Sequence, residues 1–370
     1  METQDSTIHL KDYIGKLLPW AHGHQLKAIT AFVEAIIEKQ TGNQAELARG
    51  FGNQEASVKR LSRLVHNERV DPRDLADAVF EEAISQLPKS GKVRVTIDWT
   101  SESNQHLLVV SLVVGRRAMP IYWRAYDGSV LKGRMHRYEG AVVKRAIGRL
   151  RKEVGRRRLR VSADRGFADV ELFELLEKLD VAFVIRVKGN TKICLWQSWH
   201  KLNSLTFSKN SRSRKFGKRL YCESSPHRLF ITMSRARDRK GKWGIWYLVS
   251  NFAYRAKAAA QEYAYRFLCE EGFRDAKWWL GFAEARIAEI KAWSRMFALF
   301  AISLLVLVNL GIKLLVDGDQ SITFLRRVLS RRRTRSELSL VSAMCCLLKE
   351  DKSLFAELAF LSKLNLEASL

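Results

Sequence analysis

The chain is short of acid. Its 370 residues include 64 lysines and arginines but only 39 aspartates and glutamates, a formal charge of +25. Self-repulsion of that size opposes compaction unless a polyanion meets it, and nucleic acid is the partner that fits. Cysteine is scarce and shows no pairing pattern. Cys194, Cys222, Cys269, Cys345 and Cys346 form an odd set without a Cys-x-x-Cys motif, which speaks against a disulfide framework or structural zinc and fits a reducing cytosol. The eight histidines offer only the loose pair His22 and His24, so they do not indicate a metal centre. No G-x-x-x-x-G-K loop is present, so ATP-driven chemistry is not indicated. The opening METQDSTIHLKDYIGKLL has acids where a signal peptide needs a basic stretch followed by an apolar core, and export is not expected. Internal repeats and low-complexity tracts are missing. One charge-free run, Met296 to Ile312, approaches the length of a bilayer span, but Asn309 and Gly311 interrupt it near its end and it stands alone. A helix buried in a protein core is expected there, not a membrane segment.

What is present is ordinary globular material, 47% hydrophobic, with room for two or more domains. Residues 1–90 read as helices. Asp71-Pro72 marks a helix start, with a capping carboxylate, proline at the first helical position and Asp74 where the helix dipole favours negative charge. Ahead of it, NQAELARGF and QEASVKRLSRLVHN flank a glycine turn in the outline of a helix-turn-helix. Lys59, Arg60 and Arg63 would line the exposed side of its second helix and meet phosphates or base edges, although basic helical hairpins also occur in proteins that never touch DNA.

From residue 92 the period changes to that of strands. KVRVTID, HLLVVSLVV and MPIYWRAY are followed by a helix from about Tyr138 to Glu153, the strand RLRVSAD, the helix ADVELFELLEKL and the strand VAFVIRVK. Three early strands on short turns, then alternating helices and strands, predict an α/β layer with a mixed five-stranded sheet flanked by helices. Between 190 and 251 the alternation gives way to basic, turn-rich sequence. It reads as a β-rich insertion or as a disordered loop, with Trp243, Trp246 and Tyr247 favouring something packed. After residue 316 the chain is basic and then helical. The run RRVLSRRRTR, Arg326 to Arg335, suits either a phosphate backbone or a solvated helix face.

The chemistry concentrates on two strand ends and one helix. Asp98 in VTIDWT and Asp164 in VSADRGF are each expected at the end of a strand, on neighbouring strands. Glu270 would arrive from a later helix. Converging carboxylates are costly unless cations neutralise them, and hard oxygen donors without cysteine or histidine point to two Mg²⁺ ions, with Mn²⁺ as a substitute. Such a pair catalyses in-line displacement at phosphorus, with Asp98 bridging and Asp164 and Glu270 each on one ion. In EYAYRFLCEEGFRDAKWW, Tyr263, Arg266, Glu270 and Lys277 fall on one stripe at helical pitch, so Tyr263, Arg266 and Lys277 are expected on phosphates beside the scissile bond. Arg186 and Lys188 in VIRVKGN are further phosphate candidates.

This four-residue pattern resembles the Y-(2)-R-(3)-E-(6)-K signature of a large group of bacterial insertion-sequence transposases with an Asp-Asp-Glu active site, of the insertion sequence family four type. All four positions match, and the resemblance spans Asp98 to Lys277. It implies a ribonuclease H-like catalytic core at 91–189 and 252–316 with a β-rich insertion at 190–251. A helical DNA-binding region at 1–90 and a basic helical region at 317–370 would flank that core. It implies metal-dependent cleavage at element ends and strand transfer into target DNA, often through a hairpin intermediate, by a homodimer acting in the cytoplasm at the nucleoid. The DNA partners would be terminal inverted repeats and target, and an aromatic of the insertion, Trp243 or Trp246, would stack on a flipped base unless it is core packing. A catalytically silent DNA-binding derivative and a ribonuclease H-like nuclease without strand transfer are the competing expectations.

Overall fold

The structure, a computed structural model, describes residues 2–49, 51, 53–155, 157–208, 211–237, 243–317, 321–329, 331–332, 335–336 and 338–360. The tip of the hairpin at 238–242, the side chains of the basic run from 330 to 335, and residues 361–370 therefore lie outside the described residues.

Five helices come first: α1 (Glu2–Leu17), α2 (Gly23–Lys39), α3 (Gln44–Ala48), α4 (Gln54–Val65) and α5 (Pro72–Ser85). Asparagine caps fix the α3–α4 pair, Asn43 accepting from the Ala45 and Glu46 amides and Asn53 from the Ala56 amide. Asp71 caps α5 by accepting from the Arg73 amide at 2.7 Å, with Pro72 at the first helical position.

Strands β1 (Val93–Glu102), β2 (Gln105–Val114), β3 (Arg117–Asp127), β4 (Leu159–Ala163) and β5 (Ala182–Val187) follow, in the order expected. Between β3 and β4 lie α6 (Gly128–Leu131), α7 (Met135–Val142), a π-turn at Val143–Ile147 and α8 (Gly148–Val154); α9 (Val170–Lys178) separates β4 from β5. Residues 190–251 contribute β6 (Lys192–Leu195), β7 (Ser198–Lys201), β8 (Ser213–Tyr221), β9 (His227–Arg237) and β10 (Trp243–Ser250). The ten strands make one mixed sheet in the order β3-β2-β1-β4-β5-β10-β9-β8-β6-β7. β1, β4 and β5 run parallel, whereas β2 and β3 form an antiparallel hairpin and β10 joins β5 antiparallel. The inserted strands therefore lengthen the central sheet, because β10 satisfies the backbone donors and acceptors that β5 would otherwise leave open at an edge.

Next come α10 (Ala256–Ala264), α11 (Phe267–Arg274), a π-turn at Asp275–Trp279, α12 (Ile290–Asp317), α13 (Ser321–Leu329) and α14 (Leu340–Glu350). Two compact units result: Met1–Pro88 with Trp99–Val130 and Glu270–Leu370, and Lys89–Asp98 with Leu131–Cys269.

The first unit is helix-rich and centred on α12. Its long apolar window passes for a membrane span by length and composition, yet 89% of that window is buried. Trp123 of β3 packs edge-on to Phe297, and α2, α5 and α14 cover other faces of the helix. Arg295 of α12 is buried and donates to the carbonyls of Val70 at 2.6 Å and Val65 at 2.9 Å. Farther along, Asn309 donates to the Tyr13 hydroxyl at 3.2 Å, and that hydroxyl donates to Glu82 at 3.2 Å. The Arg295 guanidinium and the Asn309 amide nitrogen are thus hydrogen-bonded inside the bundle, whereas Asn309 Oδ1 and the Thr30 hydroxyl have no hydrogen-bond partner among the described residues.

In the second unit the sheet is the core. Val184, Trp246, Leu248, Ala259 and Tyr263 form one buried cluster that seats α10 on β5 and β10. Arg94 of β1 donates to Glu262 of α10 at 2.8 Å and lies over the Tyr265 ring, which fixes the start of the signature segment against the sheet.

Candidate active site

Strands β1 and β4 are registered from Val93 opposite Leu159 to Ile97 opposite Ala163. Asp98 and Asp164 are each the next residue, so two carboxylates stand at one level on parallel strands roughly 4.8 Å apart. Asp98 does not end its strand, as its sequence suggests. β1 continues to Glu102 and outlasts β4, because the extended pattern runs on through Trp99 and Thr100 while β4 stops at Ala163. Asp164 does terminate its strand: its carbonyl accepts from the Phe167 amide at 2.9 Å and turns the chain toward α9. Asp98 is buried, and the Asp164 side chain keeps 32% of its surface open.

One guanidinium joins them. Arg266 Nη2 lies 2.9 Å from Asp98 Oδ2 and 3.8 Å from Asp164 Oδ2, while the Tyr263 hydroxyl donates to Asp164 Oδ1 at 3.2 Å. Tyr263 is fully buried, its ring 5.1 Å from that of Trp246 and 5.8 Å from that of Phe267. Burial, followed by the Asp164 charge, pushes its pKa far up, so the phenol stays protonated and can act only as a donor to that carboxylate. Tyr263 and Arg266 are thus placed on the aspartates, where phosphate contacts had been expected. Two adjacent carboxylates in a partly buried site attract the nearest cation and donor, and Arg266 supplies that charge.

The expected single stripe is broken. Around residues 263–269 the backbone tightens to three-residue hydrogen bonds, with the Arg266 amide on the Tyr263 carbonyl at 2.9 Å and the Cys269 amide on the Arg266 carbonyl at 3.0 Å. At 275–279 it widens into a π-turn, with the Leu280 amide on the Asp275 carbonyl at 2.9 Å. Each change of step shifts the angular phase along the segment, in which Tyr263 and Arg266 reach Asp164 and Asp98. Among the described residues, no three histidine, cysteine, aspartate or glutamate side chains come together closely enough to hold a metal ion. By donor chemistry Asp98 and Asp164 suit a hard divalent cation; Glu270 is half-buried on α11.

Lys277, the last residue of the signature, is half-buried. Its Nζ donates to the Ser101 carbonyl at 2.6 Å and stands 3.8 Å from Glu102, and burial lowers its pKa. Arg186 is half-buried on β5 and close enough to affect Tyr263 electrostatically, while Lys188 just beyond the strand is exposed. On α4, Lys59 and Arg63 are exposed, Arg60 is half-buried, and Lys59 pairs with Glu55 at 2.5 Å. Trp246 is packed beneath Tyr263, which makes it core; Trp243 is half-exposed with Arg237 over its ring.

Three further residues that the sequence reading passed over crowd the start of the Glu270 segment. Arg117 of β3 reaches Glu271 at 3.3 Å and Asp275 at 3.3 Å. A Cβ added to Gly272 would lie 2.1 Å from the Ala118 carbonyl oxygen. Asp275 is buried, and its pKa is pushed up to about 6 by desolvation, which outweighs the Arg117 charge. A glycine inside a helical run was the available signal, since it costs about 1 kcal/mol relative to alanine unless something needs its bareness.

A cavity of about 350 Å³ lined by His136, Arg137, Glu139, Asp169 and Glu171, among others, contains none of the candidate residues. No curated protein matches the chain. Residues 133–305, a little under half of the sequence, match the model of a family described as transposase DDE domain, a span that takes in Asp164, Tyr263, Arg266, Glu270 and Lys277, and this similarity supports a DDE transposase that acts on DNA and, as that family generally does, uses divalent metal ions.

Proposed function

We propose that the chain is a DNA transposase that cuts at the ends of its element and joins the freed ends to target DNA, on a ribonuclease H-like core. The observation that carries this reading is the pair Asp98 and Asp164, one step beyond the last registered residues of two parallel strands and bridged by Arg266. The strand order β3-β2-β1-β4-β5, with β2 and β3 antiparallel and the other three parallel, supports the ribonuclease H-like assignment. Asp98, Asp164 and Glu270 would hold Mg²⁺ or Mn²⁺. When bound, the metal activates the attacking oxygen and stabilises the leaving one during exchange of one phosphodiester for another.

The protein's own part is preorganisation. Arg266 keeps two carboxylates together that would otherwise repel, and it selects the face each presents. The Tyr263 phenol, unable to ionise, occupies one oxygen of Asp164 and leaves the other for chemistry. The open surface of Asp164 admits the scissile phosphate, and Arg186 and Lys188 at the adjoining strand end offer cationic contacts to its neighbours. Residues 44–65 supply the helix pair that holds the flanking duplex, with Lys59, Arg60 and Arg63 on its second helix. Expected partners are the element's inverted ends, target DNA and a second copy of the chain, in the cytoplasm.

The test uses a DNA fragment carrying the gene's own flanking sequences. Mg²⁺-dependent nicking by the wild type, absent in Asp164→Ala, together with joined products when a target plasmid is supplied, is the expected result. Equal products from wild type and Asp164→Ala would point to a silent DNA-binding protein, and nicking without joining to a simple nuclease.

A further inference from the structure

The inserted strands gather arginines at one end of the sheet. Ser213 of β8 stands opposite Ser234 of β9, and the ladder runs one step further, with the Arg235 amide donating to the Arg212 carbonyl at 2.8 Å. Arg212 and Arg235 therefore face each other across the two strands. Side chains two positions apart share a face, which adds Arg214, opposite Met233, and Arg237, opposite Trp243 of β10. One face thus carries four guanidinium groups on neighbouring strands, with Arg212, Arg235 and Arg237 exposed and Arg214 half-buried.

Like charges directly opposite each other weaken a sheet. Elsewhere in this unit arginines are met by acids, Arg94 by Glu262 at 2.8 Å and Arg151 by Asp180 at 2.9 Å. Here, among the described residues, no carboxylate pairs with any of the four, and from Val181 to Cys222 the sequence has no aspartate or glutamate. Aromatic rings take the place of acids. The Arg235 guanidinium lies over the Phe207 ring at 5.1 Å and that of Arg237 over the Trp243 ring at 4.7 Å. A ring face steadies such a side chain without neutralising it. The charge stays available to an outside anion, and part of the side-chain freedom that binding would remove is already gone.

We propose that this end of the inserted sheet is a docking surface for duplex DNA, held by its phosphates without regard to base sequence. Uncompensated guanidinium groups side by side on one face select a polyanion, and phosphate contacts fix a duplex in place while reading none of its bases. The inference rests on the reading of the chain as a protein that acts on DNA, and it adds a surface whose residues belong neither to the aspartate site nor to the α3–α4 pair.

The experiment follows binding of the full-length protein to two labelled duplexes of equal length by fluorescence anisotropy across a salt series, with thermal unfolding of each variant as the fold control. One duplex carries the gene's flanking sequence and the other a scrambled one. Arg235→Gln combined with Arg237→Gln should weaken binding to both duplexes alike, on the order of 10-fold, and lower the salt slope by about 2, since each phosphate contact contributes about 0.9. The corresponding pair of lysine substitutions should keep the slope. Because the change removes like charges from one face, the unfolding temperature should not fall. Should the double variant fail to fold, Arg212→Gln decides, with a slope smaller by about 1. A folded variant with the slope and affinity of wild type on both duplexes would overturn this surface alone. So would a loss confined to the flanking-sequence duplex, which would mean base readout, or a loss of binding to phosphatidylserine vesicles with duplex binding intact, which would assign the face to a membrane. A wild type that binds neither duplex would overturn the reading of the chain as a DNA-acting protein and this surface with it.

Discussion

Two buried arginines in this chain meet opposite kinds of partner. Arg295, inside the helix-rich unit, spends its donors on the carbonyls of Val65 and Val70. Arg266, inside the sheet-rich unit, spends its donors on Asp98 and Asp164. Backbone carbonyls hold the first, so Arg295 is a brace between α12 and the chain linking α4 to α5. Two carboxylates meet one guanidinium at the second, which gathers hard oxygen donors around Arg266. The surroundings of a buried charge, more than its burial, separate scaffold from chemistry.

The widest separation between the two should appear in activity. Asp164→Ala should lower DNA cleavage by on the order of a thousandfold while leaving the unfolding midpoint close to wild type, as read by single-turnover assays beside thermal melts. Arg266→Met should strike both properties: it leaves two carboxylates uncompensated, with a stability loss of about 3 kcal/mol, measurable by urea unfolding, and cleavage should fall with it. Asp275 tests the comparison from the acidic side. Its folded pKa of about 6 stands above the ordinary 3.8, so between those values the folded state holds a proton that the unfolded chain has lost. The contribution is therefore fully present below about pH 4 and is lost as pH rises toward 6, by at most about 3 kcal/mol. Unfolding of Asp275→Asn across that range should lack this fall. Arg295→Met should cost about 2 kcal/mol by stranding two carbonyls, with cleavage by the folded fraction unchanged. Smallest of all, Arg63→Ala should weaken duplex binding only a few-fold and reduce its salt slope by about 1 in a mobility-shift series.

The parts legible in the sequence were those that local chemistry decides. Alternating apolar residues placed β1 to β5, and the Asp71-Pro72 pair placed the start of α5 at the residue observed. The aspartates were legible as a pair because each follows a strand-forming run, although the length of β1 beyond Asp98 was not. Residue spacing also could not reveal that the helix tightens at Arg266 and widens at Asp275, since both depend on which carbonyl an amide chooses, and side-chain identity barely encodes that choice. The joining of β10 to β5 was hidden for a different reason: it pairs residues about sixty positions apart, and neither partner's sequence names the other. Arg117 escaped notice because its partners, Glu271 and Asp275, lie far along the chain.

The edge-to-face ring pair beside Asp164 carries one more implication. Trp246 comes from the inserted strands, Tyr263 rests on it, and the Tyr263 hydroxyl grips the carboxylate. Grafting those strands from a relative would exchange the floor on which that tyrosine stands, so the segment could not be traded as a cassette unless the residues meeting the tryptophan travelled with it.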